Sequence, residues 1–119
     1  ISGVVVVTTP QDVALIDARK AVNMFNRVDV PILGVVENMS YFVCPHCGKR
    51  TDIFSHGGGK ITSLRMNVPF LGEIPIVQSI CEHSDDGIPL DVSEQDKEQI
   101  KYFEQIAQKI SSVIRKQFI

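Results

Sequence analysis

Cys44-Pro45-His46-Cys47-Gly48 is the stretch of this sequence best equipped for chemistry. Two thiols separated by two residues, with proline and glycine shaping the turn, can aim both sulfurs at one soft metal or cluster. A zinc or iron–sulfur centre takes four ligands as a rule, and no second Cys-x-x-Cys completes the set. Three arrangements answer the shortfall. A second chain can bring its own pair, or His46, His56, Cys81 or His83 can finish a structural zinc knuckle. Alternatively the pair is a thioredoxin-type redox couple, which needs its first cysteine at a helix N-terminus, and Gly48-Lys49-Arg50-Thr51-Asp52 is poor helix material. Cys81 alone reads as a small buried hydrophobe. His56, His83, Lys49 and Arg50 read as solvated loop residues, while Met39, Tyr41 and Phe42 are expected to pack around the pair and limit its exposure.

The elements that hold this turn follow from hydrophobic pattern. Gly3 to Thr8 is a β-branched run suited to a central strand of a parallel sheet, covered on both faces. Thr9-Pro10-Gln11-Asp12 predicts a helix start with Thr9 as cap and Pro10 in the first turn. Leu15, Ala18, Val22 and Phe25 carry that helix to about Asn26. Ile32 to Val36 is a second strand, completing a right-handed strand–helix–strand unit that ends in Glu37-Asn38. Residues 41–59 read as a long functional loop with a flexible glycine run, Gly57-Gly58-Gly59. A short helix from Lys60 to Met66, a strand from Pro69 to Ile74 closed by Pro75, and a helical turn from Val77 to His83 come next. Ser93 is expected to cap a last helix, with Glu94 and Asp96 in its first turn and Ile100, Phe103, Ala107, Ile110 and Ile114 as its apolar stripe. Strands alternating with helices imply an α/β fold with a doubly wound, mainly parallel sheet. Three strands make a thin one, as if half a domain were present.

Composition narrows the function. The chain has 119 residues, 44% of them hydrophobic, with 12 Lys plus Arg against 14 Asp plus Glu and a net charge of −2. No basic field stands out that would draw nucleic acid or an anionic membrane, so neither is expected as a partner. No apolar run approaches a membrane span and Ile1 to Val7 lacks the shape of a signal peptide. Three cysteines, two in a tight pair, suit a reducing compartment, and the expected location is the cytoplasm.

Taken together, Gly-Val-Val-Val-Val-Thr-Thr-Pro-Gln-Asp-Val-Ala from Gly3, Val-Val-Glu-Asn-Met-Ser from Val35, the cysteine turn, Gly57-Gly58-Gly59, and Val-Pro-Phe-Leu-Gly-Glu-Ile-Pro from Val68 resemble the Mrp/NBP35 (ApbC-like) family of iron–sulfur carrier ATPases. These belong to the MinD/ParA-like deviant P-loop NTPases. The resemblance covers nearly the whole chain. It implies ATP-bridged homodimers, a [4Fe-4S] cluster shared by Cys44 and Cys47 of two chains, and transfer of that cluster to apo iron–sulfur proteins. It also implies that Asn38 meets the adenine edge and that Pro75 lines the same pocket. Family members begin with a Walker A loop and switch segments that hold Mg²⁺, and no Gly-x-x-x-x-Gly-Lys-Ser/Thr occurs here. His56-Gly57-Gly58-Gly59-Lys60 has the wrong spacing and no hydroxyl residue after the lysine. Residues 1–119 therefore read as the C-terminal part of one P-loop NTPase domain, without catalytic residues of its own and without ATP hydrolysis in isolation. Two other readings stay open. One is a zinc-binding module with Zn²⁺ on the cysteines, and the other a MinD/ParA-like positioning ATPase, although such relatives generally lack the cysteine pair.

Overall fold

The computed structural model describes residues 1–89 and 97–118, in which strands β1 (Val4–Thr8), β2 (Ile32–Glu37) and β5 (Phe70–Glu73) form one parallel sheet in the order β1-β2-β5. Helices α1 (Asp12–Arg27), α2 (Gly58–Arg65), α3 (Gln78–Asp86) and α4 (Lys97–Phe118) flank it, and β3 (Phe42–Val43) pairs with β4 (Arg50–Thr51) as a separate two-stranded ribbon. All six residues of β2 are buried, so β2 is the middle strand. The first strand, expected at the centre, lies at an edge of the sheet. Val6 is buried while Val7 remains 61% exposed.

Period-two alternation divides the sheet's side chains between two cores. On one face Val6 and Val35 meet Ala18 and Val22 of α1, with Met66 and Val68 packed against them. On the other, Val36, Leu71 and Ile74 meet Ile106 of α4, joined by Val5, Ile80, Ile110 and Val113. The result is a helix–sheet–helix sandwich, the expected α/β architecture.

Two local expectations need correction. Helix α1 begins at Asp12, with Gln11 in the cap position and no side-chain cap. The Thr9 hydroxyl instead donates to Gln11 Oε1 at 3.2 Å, and Pro10 is buried ahead of the helix. In α4 the inward stripe is Tyr102, Ile106, Ile110 and Val113, whereas Phe103 is 40% exposed and Ala107 is exposed. Two apolar series coexist in that helix, and the sheet selects the one containing Ile106. The expected cap Ser93 and the acids Glu94 and Asp96 lie outside the described residues.

Candidate functional site

The 41–59 segment is more ordered than a loop. Val43 and Arg50 pair across the β3–β4 ribbon, so the cysteine turn is the tip of a hairpin. Cys44 N–H donates to Lys49 O at 3.0 Å and Gly48 N–H to Cys44 O at 2.8 Å. Gly48 has φ of +72°, a left-handed value that glycine adopts without a side-chain clash. The hairpin hangs from the C-terminal end of the sheet. Ser40 N–H donates to Ile74 O at 2.9 Å and Ile76 N–H to Tyr41 O at 2.7 Å, while Phe42 bridges to Ile76.

Cys44 is half-buried and Cys47 exposed, and all three cysteines are free thiols. Backbone amides of Cys47 and then His46, followed by the Cys47 side chain, hydrogen-bond to the Cys44 sulfur and hold its pKa below the usual thiol value. The turn is thus built to stabilise a thiolate. No helix N-terminus contributes, which removes the structural premise of the thioredoxin-type reading. Among the described residues, no group of three or more His, Cys, Asp or Glu is placed to hold a metal ion. His56 lies instead 3.2 Å from Arg50 Nη2 and 3.6 Å from Asp52 Oδ1. Cys81, expected to be buried, is exposed on α3, with Sγ 3.9 Å from Asp85 Oδ2. The inward residue there is its neighbour Ile80.

Arg50 and Tyr41, at the foot of the hairpin, form a second layer. The guanidinium stacks 4.0 Å from the Tyr41 ring centroid, and its Nε donates to Asp52 Oδ1 at 3.2 Å. Burial, followed by the hydrogen bond and charge of Tyr102, pushes the Tyr41 phenol up to about 12. Tyr41 thereby links the hairpin to α4. Met39, expected to cover the cysteines, is 38% exposed with φ of +51°.

Sequence reasoning missed the residue that organises both ends of this segment. Glu37, the last residue of β2, is fully buried, accepting the Ser40 hydroxyl at 2.5 Å and the Gly59 N–H at 2.9 Å. Its carboxylate sits on the first turn of α2, where orphan amides and the helix dipole favour negative charge. The glycine run is shaped for this packing. A Cβ on Gly58 would lie 2.6 Å from Leu15 Cδ1, and one on Gly59 3.0 Å from Glu37 Cβ. Those glycines, read above as flexible, are the close-packed start of a helix.

Asn38 backs onto β1 through its N–H, which donates to Thr8 O at 2.7 Å, and its side-chain oxygen accepts the Met39 N–H at 2.9 Å. It lines a cleft of about 360 Å³ beside the open edge of β1, together with Thr8, Thr9 and Asp17. Pro75 is buried and follows Ile74, whose N–H donates to Glu37 O at 2.8 Å and whose carbonyl accepts the Ser40 N–H at 2.9 Å beside Asn38.

The ParA family model for the NUBPL iron-transfer P-loop NTPases matches residues 1–111. The chain belongs to this family. An iron–sulfur cluster transfer protein, NUBPL, of Dictyostelium discoideum is 51% identical over 110 residues, covering 92% of this chain and 34% of that protein. The iron–sulfur cluster carrier protein of Pyrococcus horikoshii is 48% identical over 111 residues, covering 93% and 37%. The chain thus spans about a third of the length of these NUBPL-family relatives. A nucleotide-binding protein of Archaeoglobus fulgidus, solved in complex with ADP, superposes with a TM-score of 0.62 at 38% identity, covering 72% of this chain and 35% of that one. The cell division ATPase MinD of Pyrococcus furiosus superposes with a TM-score of 0.68 over 92% of this chain and 42% of its own, and at 24% identity it supports the fold alone.

Proposed function

We propose that this chain is the cargo-holding portion of an iron–sulfur carrier, in which Cys44 and Cys47 bind a [4Fe-4S] cluster jointly with the same pair of a second copy and pass it to apo iron–sulfur proteins. The observation that carries this reading is the hairpin tip. It presents two thiols, one exposed and one half-buried, and no third donor joins them among the described residues. Two thiolates per chain become four across a two-fold axis, the number a cubane cluster takes. The family match and the names of the relatives support the same cargo.

The chain's own residues hold the cargo in three ways. Turn amides favour the Cys44 thiolate. The Arg50–Tyr41 stack and the Glu37 clasp fix the hairpin to the sheet. Exposure of Cys47 leaves an open side from which a recipient's thiolate can displace a ligand. ATP and Mg²⁺ belong to the full-length protein, whose nucleotide sets how closely the two copies approach; Asn38 faces the adenine and Pro75 supports the neighbouring wall.

Iron and acid-labile sulfide analysis of anaerobically reconstituted protein tests this. Equal iron and sulfide, about four of each per dimer and lost in Cys44→Ser/Cys47→Ser, is the expected result. Zinc without sulfide after reconstitution would instead make the pair a structural knuckle.

A further inference from the structure

The described surface holds a second cleft, of about 470 Å³, between α1 and α2 on the sheet face opposite α4. Leu15, Ile16 and Ile61 supply its apolar wall, with Ile16 and Ile61 44% and 49% exposed. Arg19, Arg65 and His56 supply cationic or protonatable groups, against Asp12 as the one acid in the lining. Neither arginine forms an ion pair among the described residues. Thr62, 7% exposed, adds a hydroxyl-bearing side chain to the same wall. Two unpaired guanidinium groups flanking exposed isoleucines suit an acidic, apolar-faced segment, since arginine binds carboxylates in a bidentate fork while the aliphatic floor takes the non-polar side chains.

Position in the fold separates this cleft from the surface that further strands would cover. A strand added to the open edge of β1 lies against the Ala14, Asp17 and Ala21 side of α1, where Asn38 also sits. Among the described residues, the α2 side of α1 is open. His56 also joins the cleft to the hairpin, because its Nδ1 lies 3.2 Å from Arg50 Nη2 and Arg50 stacks on Tyr41 below the cysteines.

We infer that the α1–α2 cleft is the docking surface for an acidic segment of the recipient apo-protein, held by Arg19 and Arg65. This rests on the carrier reading for the partner's identity, and the surface itself can be tested without cargo. The purified protein at its full expressed length is titrated against a fluorescein-labelled peptide of alternating Glu-Glu-Leu, with a Lys-Lys-Leu peptide as control, and anisotropy is followed. The acidic peptide binds and the basic one does not. Arg19→Glu/Arg65→Glu weakens binding about tenfold or more, and raising the salt weakens it in the wild type. Ile16→Asp, a surface change outside the charge pair, weakens it independently. Cys44→Ser/Cys47→Ser leaves it unchanged, so a failure of the cargo assignment does not touch this result. Equal binding by wild type and the arginine variant overturns the proposal. So does a change of oligomeric state in that variant by sedimentation, which would make the cleft a contact between copies. With cluster loaded, transfer to an acidic apo-ferredoxin should slow about tenfold in the arginine variant, while loss of iron to a small chelator keeps its wild-type rate. Parallel slowing of both would mean damage to the cluster site rather than loss of docking.

Discussion

The chemistry of single residues here is set by what buries or faces them. Tyr41 is half-buried beside Tyr102 and its phenol ionises near 12. In an unfolded chain a tyrosine ionises at about 10. Between those values the unfolded state releases a proton that the folded state retains, so stability is fully present below about pH 10 and falls as pH rises toward 12. Urea denaturation across that window should show the decline, and Tyr41→Phe should flatten it. An unchanged slope in the variant would mean that other groups govern alkaline unfolding. The cysteine pair was legible because spacing alone specifies what two thiols can do. Glu37 was not, because a lone carboxylate at a strand end carries no spacing signal. Its role is created by Ser40 three residues on and Gly59 twenty-two residues on, and only folding brings the latter near. Cys81 was misjudged for a related reason: in a short amphipathic helix, the sheet decides which of two adjacent apolar residues turns inward.

At the scale of elements, the cysteine segment is a structure with a clasp. Glu37→Ala would leave the buried Gly59 N–H and Ser40 hydroxyl without their acceptor, at a cost of about 3 kcal/mol. Chemical denaturation should show that loss, and Ser40→Ala, which removes one donor and leaves the carboxylate bound to Gly59, should cost about 1 kcal/mol. Equal effects would show that the clasp works through Ser40 alone. Pattern reading located α1, β2 and β5 nearly to the residue, since one periodicity dominates each. It placed Ile110 in the α4 stripe correctly but chose Phe103 and Ala107 where their neighbours Tyr102 and Ile106 turn inward, because both series are helically spaced. A helix with apolar residues on two overlapping faces is decided by its neighbour, here Leu71 and Ile74.

For the molecule as a whole, β1 is the consequential edge. Its residues read as central, and in this chain they border solvent along one side, with Val7 61% exposed. An apolar, unpaired edge is a template for pairing. The 119-residue chain should therefore associate in sedimentation velocity, and Val7→Lys should reduce association with less than about 0.5 kcal/mol change in its own stability. In a longer polypeptide whose further strand pairs with β1, the same substitution should destabilise, since the lysine would enter a covered face. Indifference in both would show that the edge is capped some other way. The parallel three-stranded core was legible as a class, and the strand order was not, because uniform β-branched runs look alike whether they end up central or wait for a neighbour.

The Glu37 clasp also orders events in time. Its carboxylate reaches the start of α2 only once β2 has entered the sheet, and β2 finds its far neighbour β5 only after the intervening hairpin and helix have left the ribosome. Until then the two thiols are carried on a stretch of chain with no anchor at its α2 end. The pairing with Gly59 turns that stretch into a fixed tip, so the two thiols reach their final spacing only with the closed sheet.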